Sequence, residues 1–360
     1  MSGSNSILPG FGCPVGFSDQ QRIGIGHGGG GVLTRELFVK VFLPAFGNPV
    51  LERLGDAALL PPVEAGGRLA FSTDAYVVQP LFFPGGSIGD LAVNGTVNDL
   101  AMEGARAIAL SAAFILEEGL SIDLLTEIAQ AMGRAARDAG VEIVTGDTKV
   151  VERGRGDGCS ITTAGIGVVP ERSRLGATPI GPGDLILVSG SVGNHGMAVM
   201  SVREGLAFES PIVSDTQPLH RLVSDLLTAC PETRLLRDPT RGGLAATLGE
   251  IAVGAGFGIE LEEAAVPIEP AVAAACAILG LDPLEVASEG RFVAVVAAGD
   301  AQRGLAALRG HQVAGGYPAA LAAQIGRVVA EHPGMVVART AIGARRIVPM
   351  PLGELLPRIC

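Results

Sequence analysis

Residues 71–105, FSTDAYVVQPLFFPGGSIGDLAVNGTVNDLAMEGA, carry one aspartate out of an apolar run and set an Asn-Asp pair on the segment that follows. The apolar stretch from Arg68 to Val78 reads as a strand with a break at Ser72-Thr73-Asp74. Pro80, Pro84 and the Gly85-Gly86 pair stop it. Ser87 suits a helix N-cap, and Ile88, Leu91, Ala92, Gly95 and Met102 recur at helical spacing along a helix that carries Asn98 and Asp99. An aspartate at a strand end facing another on a packed helix is hard-oxygen chemistry of the kind that holds magnesium beside phosphate.

The pattern recurs. Asp56, in Gly55-Asp56-Ala57-Ala58, and Asp147, in Gly146-Asp147-Thr148-Lys149, each end an apolar run beside a small residue, as Asp74 does. With Asp99 they make four carboxylates, which would repel one another on one sheet edge unless cations sat between them. Lys149 stands out because the chain has only two lysines, Lys40 and Lys149. A desolvated lysine can lose its proton where arginine cannot, so Lys149 is a candidate base or phosphate contact.

Upstream, residues 21–31, QRIGIGHGGGG, match GxGxxG only nominally, since no apolar strand precedes them, and no GK[ST] follows. What remains is an anion nest of backbone N–H groups around Gly28, Gly29 and Gly30, followed by a helix over 33–42. Downstream, a long amphipathic helix runs over 120–139 and ends at Gly140. Residues 141–151 form a buried strand that gives out at Gly146. The Pro- and Gly-rich segment 168–184 is the best domain boundary. Beyond it, Leu185–Ser189 reads as a strand, His195 as a turn residue, 219–228 as a helix, and Asp238 as a cap with Pro239 at the first helical position. A strand over 286–298 is preceded by Glu289 at a sheet end.

Composition narrows the class. The 360 residues exceed one ordinary core, and 48% apolar content suffices for two. Aromatic content of 4%, no tryptophan and a formal charge of −11 argue against nucleic acid as a partner and leave room for a nucleotide bound through a metal. The five cysteines are scattered and odd in number, so neither a disulfide framework nor a zinc site is expected. No signal peptide or membrane span is apparent, and a reducing cytoplasm is the expected home. The expected organisation is a loose arm (1–20), a first α/β domain (21–172), a second (173–346) and a tail (347–360) that ends in an apolar residue and a thiol, Ile359-Cys360.

Read together, HGGGG (27–31), GDAA (55–58), FSTDAYVVQPLFFPGG (71–86), GTVNDLA (95–101), TGDTKVV (145–151), DPTRGGLA (238–245), ASEGR (287–291) and the ending PRIC (357–360) resemble the HypE family of hydrogenase maturation factors. That family sits within the aminoimidazole ribonucleotide synthetase-like superfamily, and the PRIC ending discriminates it from its relatives. The resemblance implies a two-domain α/β fold whose N-terminal domain forms a β-barrel with that of a second subunit. It implies ATP and magnesium at Asp56, Asp74, Asn98, Asp99 and Asp147. Cys360 is implied to carry a carbamoyl group that is dehydrated to a thiocyanate, which supplies the cyanide ligand of nickel-iron hydrogenase. Lys149 and Glu289 are then candidates for base and orientation. The implied partners are a second copy, the carbamoyltransferase HypF and the iron-carrying HypC-HypD complex. A small-molecule synthetase of the selenophosphate synthetase type would share the aspartates without needing Cys360, and a nucleotide-binding scaffold would bind without turnover.

Overall fold

The computed structural model describes residues 21–28, 31–53, 60, 66–206, 212–311, 321–351, 356 and 358–360. The first half opens with α1 (Gly31–Leu37), a π-helical turn (Phe38–Phe42) and α2 (Leu43–Phe46). Strand β1 (Arg68–Tyr76) follows, then a short hairpin of β2 (Phe82–Phe83) and β3 (Gly86–Ser87). Helix α3 (Ile88–Met102) starts where its sequence says it should: the Ser87 hydroxyl accepts from the Asp90 N–H at 3.4 Å and donates to the Asp90 carboxylate at 2.7 Å. Strand β4 (Arg106–Glu117), helix α4 (Ile122–Ala139), strand β5 (Ile143–Val151) and strand β6 (Cys159–Val169) complete this half. Gly140, at φ 67°, ends α4 in the left-handed conformation that a Cβ would strain.

The first sheet runs β1-β6-β4-β5, antiparallel except for the β4–β5 pair, which α4 bridges. One face packs on α3 and α4. The other is open, and Leu69, Phe71 and Ile115 stand exposed on it. Strand β1 shows the alternation directly: Ala70, Ser72, Asp74 and Tyr76 turn inward, while Leu69, Phe71, Thr73 and Ala75 point out.

The second half builds a seven-stranded sheet from β7 (Leu185–Val188), β8 (Leu235–Arg237), β9 (Gly258–Glu262), β10 (Val293–Val296), β11 (Ala323–Val329), β12 (Val336–Arg339) and β13 (Arg345–Val348). Their order is β13-β12-β9-β11-β7-β10-β8. Helices α5 (Asn194–Arg203), α6 (His220–Ala229), α7 (Gly243–Ala255), α8 (Pro270–Leu279) and α9 (Ala301–Gly310) accompany it. Helix α3 is the joint between the halves, in contact with β1, β6 and α4 on one side and with α6 and β8 on the other. All of its residues except Asp90 and Asp99 are buried, which is why its polar members need partners from both halves.

Several expectations change. The run at Ser72-Thr73-Asp74 is not a break, and Gly146-Asp147 does not end its strand: both aspartates lie inside strands, because antiparallel or parallel pairing continues across them. The strand expected over 286–298 is confined to Val293–Val296, since Ser288–Phe292 is spent on a buried loop. Asp238 caps nothing. Gly242 and Gly243 both take positive φ, 74° and 59°, and they delay the helix start to Gly243. Asp56, Gly29, Gly30, Cys13 and the arm 1–20 fall outside the described residues.

Candidate functional site

Two elements of the first half and three segments of the second meet around the inward end of β1. Asp74 accepts from the Ala75 N–H at 2.9 Å and lies 3.5 Å from the Arg241 guanidinium. From α3, Asp99 accepts a 2.6 Å bond from the Ser72 hydroxyl. Burial raises the Asp99 pKa, with the Asp74 charge adding to the effect and the Ser72 bond opposing it. Asp238, released from capping duty, is pushed up to about 7, first by burial and then by Asp99. Tyr76 is fully buried beside them, its hydroxyl pKa raised by desolvation and then by Asp74.

Glu289 closes the cluster. It is 3% exposed, and its pKa is raised well above the ordinary carboxylate range by burial, then by Asp238, Asp215 and Asp74. The loop that carries it is held by its backbone. The Glu289 N–H donates to Asp215 at 3.1 Å, and Asp215 forms a buried ion pair with Arg291 at 3.6 Å. Asn98, also buried, donates to the carbonyls of Glu289 and Gln217, both at 3.1 Å, and accepts from the Leu219 N–H at 2.8 Å. Asn98 therefore serves as a bracket that fixes the second half against α3.

Cys360 is here too. Its thiol lies beside the Glu289 carboxylate, and its pKa is raised well above the usual value by burial and by the Glu289 charge, with Arg241 pulling the other way. The preceding residue explains the placement: Ile359 is 2% exposed and belongs to the core of the first half. Arg358, at φ 57°, turns the chain inward, and its carbonyl accepts from the Gln79 N–H and from Arg203. The tail in this structure is docked.

The remaining expected residues are elsewhere. Asp74 pairs across β6 with Thr163, which pairs with Ala112 of β4, which pairs with Gly146 of β5, so these share the helix-covered face. Asp147 is one residue further and faces the open side, three strand spacings away, or roughly 14 Å. Lys149 lies on that open side as well, exposed and 3.4 Å from Asp147. Gly28 belongs with them: a Cβ there would overlap the Val150 backbone, so only glycine lets the loop lie on β5 beside Lys149. Within one chain Asp147 does not converge with Asp74 and Asp99. Among the described residues no group of three or more His, Cys, Asp or Glu could hold a metal ion. The sequence reading also passed over Tyr76, Asp215 and Arg241, and took Asp238 for a helix cap. The acidic and basic residues of DPTRGG were the available signal.

Comparisons with known proteins bear on the fold and the family. The model of the AIR synthase related protein N-terminal domain matches residues 54–169, and that of the C-terminal domain matches 181–338. The chain is 49% identical to the carbamoyl dehydratase HypE of Cupriavidus necator, over 99% of this chain and 100% of that protein. A crystal structure of hydrogenase maturation protein HypE in complex with ATP superposes with a TM-score of 0.86 at 46% identity, covering 93% of this chain and 99% of that one. A HypE-HypF complex structure gives 0.74 at 44% identity, covering 89% and 100%. Two AIR synthase related domains in tandem, at this identity over the full length, show that the chain belongs to the HypE family of hydrogenase maturation proteins.

Proposed function

We propose that this chain dehydrates a carbamoyl group carried as a thiocarbamate on Cys360, at the expense of ATP, to a thiocyanate. The product supplies cyanide for the iron centre of nickel-iron hydrogenase. The observation that carries the reading is the thiol of Cys360 buried beside Glu289, amid the charges of Asp74, Asp99, Asp238 and Arg241. A carboxamide oxygen is a poor leaving group until it is phosphorylated, and the amide protons must then go to a base. Glu289 is placed to take one. Buried as it is, its carboxylate is a stronger base than an exposed one.

Burial also divides the reaction in two. A thiol with a raised pKa is a weak nucleophile, so docked Cys360 is suited to carrying the group through dehydration and unsuited to accepting it. Loading belongs to an undocked tail, where the thiol regains an ordinary pKa. That fits a carbamoyl donor of the HypF kind and delivery to a HypC-HypD acceptor outside this site.

The carboxylates Asp74 and Asp99, the charge of the first raising the proton affinity of the second, fit a magnesium ion shared with phosphate oxygens, since that metal often takes only one or two carboxylates from protein. Bound there, magnesium would spread the charge that develops on the transferred phosphoryl group. Gly28, Lys149 and Asp147, on the open face, are proposed to serve the nucleotide through a second copy of the chain. The exposed Leu69, Phe71 and Ile115 give that copy an apolar surface to cover, and two such sheets meeting would close a barrel. Gly29, Gly30 and Asp56 are proposed for the same nucleotide site. Among the described residues no helix is long and apolar enough to cross a membrane. A reducing cytoplasm, which keeps Cys360 a free thiol, is the proposed compartment.

The test is phosphate release. Carbamoylated chain should release phosphate from ATP in proportion to the carbamoyl groups loaded, and Cys360→Ser should abolish loading and release together. Equal release from the unloaded chain would defeat the proposal.

A further inference from the structure

His195 is fully buried and has no part in the chemistry above, yet it holds the tail. Its Nε2 lies 2.8 Å from the Ile359 carbonyl and its Nδ1 2.8 Å from the Ser214 hydroxyl. A carbonyl can only accept, so Nε2 carries the proton and Nδ1 accepts from Ser214. Ser214 is itself fixed: its hydroxyl accepts from the Thr216 N–H at 3.2 Å, and its own N–H donates to the Pro84 carbonyl at 2.8 Å. Phe83 meets the imidazole edge-on, with ring centroids 5.2 Å apart. With the tail docked, the ring has one orientation and one tautomer.

Resting on the function proposed above, we propose that His195 is a positioning residue, the anchor that sets the register of the docked tail so that Cys360 meets Glu289. The other tail bonds stop one residue short. Gln79 and Arg203 hold the Arg358 carbonyl, and the Arg358 side chain pairs with Asp157 at 2.9 Å. Among the described residues, His195 makes the hydrogen bond to the Ile359 carbonyl, the last carbonyl before the reacting residue. Removing it leaves Ile359 in its apolar slot with its carbonyl unpaired, and the final residue free to rotate. Burial also lowers the pKa of His195, in keeping with the neutral ring that this geometry needs.

Two readouts test this. The first is alkylation of Cys360 by iodoacetamide in the full chain, followed by peptide mass, which needs no catalysis. His195→Ala should speed labelling of Cys360 by about tenfold, the equivalent of one lost buried hydrogen bond. His195→Gln, whose side-chain amide can donate to the same carbonyl, should restore much of the protection. Cys159, Cys230 and Cys276 are buried and report on the fold: they should stay unlabelled. Should they label in His195→Ala, Ser214→Ala replaces it, since it removes the hydroxyl donated to Nδ1 and leaves the ring in place. The second readout is turnover of the carbamoylated chain, where kcat should fall by a similar factor while KM for ATP stays put. Unchanged Cys360 labelling in a folded variant, or a loss confined to KM, would overturn the proposal. If even the unaltered chain dehydrates nothing, the functional reading fails, while the labelling still decides the role of His195.

Discussion

Gly95→Ala is a small change with a calculable effect. A Cβ at position 95 of α3 would overlap Tyr76 Oη and would lie 3.1 Å and 3.2 Å from the ring atoms Cζ and Cε1. Tyr76 is 2% exposed and cannot swing aside into solvent. Overpacking of this kind costs about 1–3 kcal/mol, and an overlap with the hydroxyl belongs at the upper end. Against it stands a helix-propensity gain of about 1 kcal/mol for replacing a mid-helix glycine by alanine. The net expectation is a loss of about 1–2 kcal/mol in urea unfolding, read from the midpoint at constant slope. In a Tyr76→Phe background the overlapping oxygen is gone and the remaining contacts need only a few tenths of an ångström of give. There Gly95→Ala should be neutral or stabilising. A sign change between the two backgrounds is the signature of the contact. The same loss in both would show that position 95 acts through something other than Tyr76, and would undo the argument for why this helix carries glycine beside the site.

Three further outcomes follow from the site. Asp238 is raised from 3.8 to about 7, so the folded chain holds its proton where the unfolded chain has released it, and stability falls as pH rises from about 4 through about 7. In magnesium-free buffer Asp238→Asn should remove that fall, a gain of up to about 4 kcal/mol at pH 8 and roughly 1–2 kcal/mol at pH 5, and an equal gain at both pH values would contradict the assignment. Asn98→Ala leaves the Leu219 N–H and the Glu289 and Gln217 carbonyls without their buried partner, so unfolding free energy should drop by about 2–4 kcal/mol and turnover should drop with it. A variant as stable as the parent would mean that the halves are not bracketed there. Asp99→Asn should abolish ATP turnover while the fold survives, measured by phosphate release alongside thermal melting, and undiminished release would remove Asp99 from the nucleotide site.

How far the sequence could be read depended on whether the determinant was local. The Ser87 cap and the Gly140 stop were legible because each acts within one turn of its own helix. The start of α7 was not, because two consecutive left-handed glycines moved it past Asp238 and released that carboxyl to face Asp99. Asp74 and Asp147 looked equivalent, each in an apolar run beside a small residue. The insertion of β6 and β4 between their strands sets them three strands apart, and a register one residue off turns Asp147 to the other face; order and register of that kind are written in contacts between distant segments rather than in either motif. Glu289 was named, but for a strand end. Its placement comes from the Asp215–Arg291 pair beneath its loop. The role of His195 was hidden for the same reason, since its partner Ile359 lies 164 residues away.

The account rests on the claim that the oxygen of the carbamoyl group on Cys360 leaves as phosphate while the sulfur stays bonded to carbon. Loading Cys360 with a carbamoyl group bearing heavy oxygen, adding magnesium and ATP, and weighing both the Cys360 peptide and the released phosphate tests it directly. The account predicts a Cys360 peptide lighter by one water and the heavy oxygen in the phosphate. Heavy oxygen retained on the peptide, or released as free carbamate or bicarbonate with an unmodified thiol left behind, would contradict it.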